Sequence, residues 1–460
     1  MGVAIADYSG VIFAEGFGSA DIETGIPQSP KTRQRIGSIT KTMLGIAAMR
    51  LIERGKLRLD SHVPSLLPEI TFMGPSDDLT VWHLMTHTSG IGEAPTMEWF
   101  SDPISSLFSD RPQTLPFPEQ YPDGIEIEQT PGTHWHYQNH GFGLLGEIVA
   151  RLEGSSVADA LRTHVFGPLG MTESDALDRP HKGLSTGYHR SPTHDELDIL
   201  EAQGKNREDE VTVDGTNIRG KYKYVTPLGA GEVQASLEDM GKYAYALLNQ
   251  GANLLKRVTF EEMTQLHYGA DERLLTLGLT FFRRRRAGKR VFEHGGSISG
   301  GWNTLLSVFP EQNISVVIHL NQASLTSQNV FNQVIGEIFG EPTTQPPKPV
   351  PQNLRSSLEG VYVLSPGKNT NFRPMQNHGR IQIVQEGNDL VLRARRGPWR
   401  SGAKVVMADR QDPSLLAIET GEVQAPLILP IADSNGTVTG LRLDQLVLMH
   451  KDATLAPWQP

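Results

Sequence analysis

The chain has 460 residues and a net charge of −10, with a pI near 5.9. That is length enough for two or three domains, with no overall field to favour nucleic acid or an anionic membrane surface. No cysteine occurs, which excludes disulfides, thiolate metal sites and cysteine nucleophiles.

No apolar run reaches membrane-spanning length. Met1-Gly2-Val3-Ala4-Ile5-Ala6-Asp7 lacks both a secretory basic region and a myristoylation hydroxyl, so the expected location is cytoplasmic. Residues 3–5 and 11–13 predict two strands joined through the turn-rich Asp7-Tyr8-Ser9-Gly10. Ser38-Ile39-Thr40-Lys41 follows Gly37 and opens a long apolar stretch over 43–52, which predicts a helix buried in the middle of a domain. Residues three apart share one helix face, so the Lys41 amine can sit over the Ser38 hydroxyl. The helix start adds free backbone N–H groups and a positive end. A serine needs an adjacent base, and an amine buried beside it can be pushed towards neutrality. The bland reading is a capping serine with a solvated lysine. The apolar surroundings oppose it, because a lysine there is costly without a partner.

Residues 93–130 are rich in prolines, acids and aromatics, among them Trp99, Phe100, Phe108, Phe117 and Tyr121. The segment suits a wall of a substrate cleft and an ordinary surface insertion equally. His134-Trp135-His136 and His140 invite a metal reading, but no local carboxylate completes the set, and no metal is expected. Among them stands Tyr137-Gln138-Asn139, at the foot of a helix predicted over 144–152 and ended by Gly154. A tyrosine hydroxyl beside a lysine ammonium has its pKa lowered, and can serve as general base or proton shuttle. Gly183-Leu184-Ser185-Thr186-Gly187 matches the nucleophile-elbow pattern, yet its flanks are neither buried strand nor helix, so it reads as a loop.

Residues 237–248 predict a helix ended by Gly251. Strand signals return at 275–281, 291–293, 304–309 and 314–320, the last two joined through Pro310-Glu311-Gln312-Asn313. The run Arg283-Arg284-Arg285-Arg286 reads as a solvated hairpin between strands, with a nucleic-acid patch a distant second. His294-Gly295-Gly296-Ser297 follows the 291–293 strand. Glycines there let a substrate backbone lie close against a strand edge, and a following N–H can point at an oxyanion. Residues 330–339 predict a closing helix. Pro342, Pro346, Pro347, Pro349 and Pro351 predict a stiff linker. Short alternating segments at 381–383, 390–392, 416–418 and 441–448 then predict a small all-β barrel or sandwich. The expected fold class is α+β: an antiparallel sheet flanked by helices with an inserted helical subdomain over 1–340, a linker at 341–352 and a β domain over 353–460.

Taken in this order and at these separations, Ser38–Lys41, Tyr137–Asn139 and His294–Gly296 resemble the three motifs of the serine β-lactamase and penicillin-binding-protein superfamily. The resemblance is closest to class C β-lactamases, D-aminopeptidases and related esterases, and covers about residues 3–340. Leu79-Thr80-Val81-Trp82-His83-Leu84-Met85-Thr86-His87-Thr88-Ser89-Gly90 and Gly229-Ala230-Gly231-Glu232-Val233-Gln234-Ala235-Ser236 support it. It implies a β-lactamase/transpeptidase-like fold in which Ser38 attacks a carbonyl, Lys41 and Tyr137 handle its proton, and Asn139 helps hold the lysine and the substrate amide. It also implies an oxyanion hole from the N–H groups of Ser38 and Ser297, beside His294 and Gly296. Which of Lys41 and Tyr137 is the base stays open. His87, near Ser89, is read as part of a structural turn beneath the site.

Three departures shape the expectation. The familiar third motif is Lys-Thr-Gly; a histidine in its place is largely neutral at pH 7, which favours esterase, amidase or peptidase work over β-lactam hydrolysis. The second motif carries tyrosine where many penicillin-binding proteins have serine, which sides with the class C branch. Relatives usually open with a helix before the first strand, whereas this sequence begins within that strand. The C-terminal region resembles a lipocalin-like domain appended to some relatives, through Leu358-Glu359-Gly360-Val361-Tyr362, and would be either a structural appendage or a substrate-gating lid.

The expected function is serine hydrolysis of a peptide, amide or ester through an acyl-enzyme, with no cofactor. A small-molecule or peptide substrate is expected, no nucleic-acid or membrane partner, and a homo-oligomer is left open. Two alternatives stand beside it: an acyltransferase or peptide cyclase, in which an amine or alcohol replaces water in deacylation, and a non-turnover sensor or scaffold that retains the motifs.

Overall fold

Alternation along the strands builds the central layer. Seven antiparallel strands form it: β1 (Gly2–Asp7), β2 (Gly10–Gly16), β3 (Thr276–Leu277), β4 (Phe282–Arg286), β5 (Lys289–Ile298), β6 (Trp302–Phe309) and β7 (Ile314–Leu320). Their order is β3-β4-β5-β6-β7-β1-β2, so the first strand lies beside the last, with Ala4 opposite Val317. The computed structural model describes all residues except 94, 97–106, 191–212, 214–215, 324–326, 341–346, 365–378, 420–424, 444–445 and 459–460.

Period-two patterning sorts the side chains of these strands onto two faces. Leu305, Phe309, Val316 and Ile318 pack with Phe331 and Ile335. Leu306, Val308 and Val317 join the main core with α1 (Thr40–Glu53), α2 (Asn139–Glu153) and α3 (Leu237–Leu248). The first-mentioned face is covered by α4 (Ser327–Phe339). Residues 40–49 of α1 are all buried, as a segment apolar on nearly every side requires. Gly154 ends α2 in the left-handed conformation, φ 64°, a position that glycine takes without a Cβ penalty.

Several sequence expectations are corrected here. Arg283–Arg286 is not a solvated connection but lies within β4; the turn is Ala287-Gly288, with φ of 47° and 74°, the positive pair a tight two-residue hairpin needs. The arginines sit in a strand because carboxylates meet them: Arg286 binds Glu293 at 2.5 and 2.9 Å, and Arg283 binds Glu272 at 3.0 Å. Residues 275–281 do not form one strand, since Thr280 takes φ 66° and splits β3 from β4. β5 runs on to Ile298, so His294-Gly295-Gly296-Ser297 lies inside a strand rather than after one. Residues 441–448 divide between two strands at Leu446, φ 60°.

Beyond these elements, eight strands close into a barrel: β8 (Gly360–Leu364), β9 (Ile381–Glu386), β10 (Asp389–Ala394), β11 (Ala403–Met407), β12 (Leu416–Glu419), β13 (Leu427–Ala432), β14 (Val438–Leu443) and β15 (Val447–Lys451). Antiparallel neighbours run β11-β10-β9-β8-β15-β14-β13-β12, and β12 pairs back onto β11. Tyr362, Ile383, Leu392, Leu441 and Met449 are among its core residues. Lys348–Pro349, within the proline-rich stretch, pairs with β11. Among the described residues no helix is long and apolar enough to cross a membrane.

Candidate active site

Gly37 has a φ of 53°, in the region that favours glycine. It turns the chain from the short strand Arg33–Arg35 into the helical turn Gly37–Ile39 that leads to α1. Ser38 is half-buried at this corner. Lys41 is fully buried, and its Nζ lies 3.1 Å from Ser38 Oγ. Two further oxygens fix the amine: Asn139 Oδ1 at 2.7 Å and the Ala230 carbonyl at 2.6 Å. An ammonium has three donors, enough to serve these three oxygens. A neutral amine would keep its two N–H bonds on Asn139 and Ala230 and turn its lone pair to the Ser38 hydroxyl. The cage accommodates both states, as a base that takes and returns a proton requires.

Tyr137 stands on the other side of the amine, with Lys41 Nζ 5.0 Å from its ring centroid. Its ring stacks on His87 at 4.5 Å. The backbone around it is tied to the same residue: the His136 N–H donates to the His87 carbonyl at 2.9 Å, and the Gln138 N–H to His87 Nδ1 at 3.1 Å. Ser89 Oγ donates to Gln138 Oε1. The His87–Gly90 segment is therefore a buried platform under Tyr137, and His87 does not serve Ser89.

The third motif lines an open strand edge. β4 ends at Phe282, opposite Glu293, so among the described residues 294–298 of β5 have no strand partner on that side. Gly296 must be glycine: a Cβ there would lie 1.9 Å from the Ile36 carbonyl oxygen and 2.4 Å from Thr304 Oγ1. Thr304 Oγ1 donates to that same Ile36 carbonyl at 2.9 Å, which clamps β6 to the residue before Gly37. A Cβ on Gly37 would in turn lie 3.0 Å from the Ser297 nitrogen. The strand edge and the turn that carries Ser38 thus touch. His294 is buried, and its Nδ1 lies 2.6 Å from the Gly295 carbonyl; a carbonyl only accepts, so Nδ1 carries the proton. Burial, then the Lys41 charge, pushes its pKa down to about 3, which leaves the ring neutral. The Phe282 ring lies 5.0 Å away and the Tyr137 ring 6.4 Å.

The structure brings Ser38, Lys41, Tyr137, Asn139, His294, Gly296 and Ser297 around one corner. Sequence reasoning missed two contributors, the Ala230 carbonyl and Thr304. A backbone carbonyl leaves no residue-type signal, and a lone threonine in a strand suggests only a strand. It also read past Glu232, which a charged residue beside glycines and ahead of an apolar helix could have flagged.

Other candidates fall elsewhere. Gly183–Gly187 is irregular backbone, and Ser185 Oγ accepts from Trp302 Nε1 at 3.0 Å. His136 and His140 are buried, and burial pushes their pKa values down to about 4 and about 3; His140 Nδ1 pairs with the Tyr121 hydroxyl at 3.1 Å. Among the described residues no three potential ligands cluster to hold a metal ion. Phe117 and Tyr121 pack into the main core, and Phe108 packs with Ile298 and Trp302. Trp99 and Phe100 lie outside the described residues.

The fold is of α+β architecture, and its candidate site sets a serine hydroxyl beside a buried lysine amine. The chain belongs to the beta-lactamase family, whose profile matches residues 1–336. It is 29% identical to the esterase EstB of Burkholderia gladioli over 205 residues, 40% of this chain and 49% of that protein. It is 26% identical to a D-aminopeptidase of Gluconobacter oxydans (strain 621H) over 376 residues, 78% of this chain and 62% of that protein. The matches therefore span less than two thirds of either relative's length. In fold it is similar to the octameric penicillin-binding protein homologue from Pyrococcus abyssi, with a TM-score of 0.59 and 20% identity over 98% of this chain and 95% of that one.

Proposed function

We propose that the chain hydrolyses a peptide, amide or ester through an acyl-enzyme on Ser38. The observation that carries this is the Lys41 amine, fully buried, 3.1 Å from Ser38 Oγ and held by Asn139 and Ala230. In acylation the Ser38 proton passes to the Lys41–Tyr137 pair as Oγ bonds to the substrate carbonyl carbon. The carbonyl oxygen becomes an oxyanion, received by the N–H groups of Ser38 and Ser297. The proton then goes to the departing amine or alcohol as its bond to carbon breaks. Water repeats the sequence in deacylation and releases the acid.

The neutral His294 supports this substrate range over β-lactams, whose carboxylate would find no cation in the third motif. The open edge at 294–298 suits an extended backbone laid beside it, and the names of the two relatives, an esterase and a D-aminopeptidase, fall in the same range. The division into a catalytic domain over 1–340, a linker over 341–352 and a lipocalin-like domain over 353–460 belongs to this proposal. So does a homo-oligomer, which the octameric homologue suggests. The test is turnover of p-nitrophenyl acyl esters, D- and L-amino-acid p-nitroanilides and a chromogenic cephalosporin by wild type and Ser38→Ala. Ester or anilide cleavage that needs Ser38, with the cephalosporin intact, is expected. Cephalosporin as the preferred substrate would overturn the substrate assignment.

A further inference from the structure

Between the Lys41 cage and α3 lies a carboxyl group that the mechanism above does not use. Glu232 is 0% exposed. Both of its side-chain oxygens lie 2.9 Å from the Gly229 nitrogen, and Oε2 lies 3.1 Å from the Gly231 nitrogen. These two amides flank Ala230, whose carbonyl accepts the 2.6 Å bond from Lys41. The turn is wedged between helices: a Cβ on Gly229, which has φ 97°, would lie 2.9 Å from Leu44 of α1 and 3.0 Å from the Phe142 carbonyl of α2. A buried carboxyl is costly unless it satisfies neighbouring groups, and here it satisfies two backbone donors on either side of the Ala230 carbonyl.

We propose that Glu232 is a positioning residue for the nucleophile: by bridging the amides on either side of Ala230, it holds that carbonyl on the Lys41 amine. The proposal rests on the reading of Ser38 as nucleophile and of Lys41 as a member of the pair that handles its proton. As a carboxylate, Glu232 offers two strong acceptors to the two amides. Once protonated, one oxygen becomes a donor and the grip on the turn weakens. Burial pushes the carboxyl up to about 7, against the pull of its backbone bonds, so this change falls near neutral pH. The charged groups that act on it are Arg35, whose guanidinium lies 4.2 Å over the Tyr222 ring, and Asp178. Arg35 favours the ionised form and Asp178 opposes it.

The test measures the rate of Ser38 labelling by a fluorophosphonate, by intact-protein mass spectrometry, together with kcat and KM on a p-nitrophenyl ester, from pH 5.5 to 9. Wild type is expected to show an acidic limb near pH 7 in labelling and in kcat. Glu232→Gln, which sets an NH2 group against one of the two amides, is expected to lower kcat about 10-fold, with KM little changed, and to lose that limb. Glu232→Asp, which restores a carboxylate, is expected to regain a limb. Circular dichroism checks that each variant folds, and the near-isosteric Gln variant carries the test if a smaller replacement does not. A Gln variant with the wild-type limb and kcat overturns the proposal, as does one that merely melts lower with an unchanged pH profile. Absence of a Ser38 adduct in wild type would instead remove the hydrolase reading on which the proposal rests.

Discussion

At the scale of residues, the site is a set of short distances that single substitutions should break. Removing the Lys41 side chain takes away the group 3.1 Å from Ser38 and leaves Asn139 Oδ1 and the Ala230 carbonyl without it. Ser38→Ala and Lys41→Ala should each lower kcat/KM on an ester by about 10³-fold or more, read from steady-state kinetics. Gly296→Ala would set a Cβ 1.9 Å from the Ile36 carbonyl and push the strand edge away from Gly37. A loss of roughly 10²–10³ in kcat is expected, the size of an oxyanion donor. Ser185→Ala should leave activity within about 2-fold, since the Ser185 hydroxyl accepts from Trp302 away from Ser38, at a cost of about 1 kcal/mol in stability. Ser38, Lys41, Tyr137, Asn139, His294 and Gly296 stood out in the sequence as candidates because their chemistry is in their side chains, or in having none. The clamps from Ala230 and Thr304 were not, since they depend on which segments the fold brings together.

Among the elements, the β4–β5 hairpin is the one whose charge decides its structure. Burial alone would raise the Glu293 carboxyl, yet the Arg286 and Arg284 guanidiniums hold it below the usual carboxylate value. Arg286→Met would leave that carboxylate buried without its main partner, at a cost of about 3–5 kcal/mol, measurable as a lower urea midpoint. Pairing it with Glu293→Leu should recover most of the loss, because a buried ion pair contributes little beyond an apolar replacement. The sequence displayed four arginines but not the carboxylates of Glu272 and Glu293 that the sheet sets beside them, so the run looked solvated. Helix α3, by contrast, was readable to its ends. Ser236 caps it by accepting from the Asp239 N–H at 3.2 Å, a local signal that needs no tertiary partner.

Across the whole molecule, buried titratable groups set the response to acid. His136, His140, His294 and His319 are buried, and burial pushes their pKa values down to about 4, 3, 3 and 3 from an ordinary 6.5. Below pH 6.5 the unfolded chain binds protons that the folded chain refuses, so stability falls as pH drops towards 4. Each such group contributes about 1.4 kcal/mol per pH unit in that window. Glu232 acts in the opposite sense: its folded value of about 7 exceeds the ordinary 4.5, so its contribution to stability is lost as pH rises from 4.5 through 7. Four imidazoles outweigh one carboxyl, and the melting temperature should be lower at pH 5 than at pH 7.5; a flat response would contradict this. The difference in melting temperature between Glu232→Gln and wild type should shift in favour of the variant from pH 5 to pH 8. None of this was legible in the sequence, because burial of a histidine is decided by packing, not by its neighbours in the chain.

The central claim is that Ser38 forms the acyl-enzyme, and intact-protein mass spectrometry tests it most directly. Wild type mixed with a p-nitrophenyl acyl ester and quenched early should gain one acyl mass, mapped to the peptide that holds Ser38, and Ser38→Ala should gain none. An acyl group found on another residue, or turnover that survives Ser38→Ala, would contradict the account.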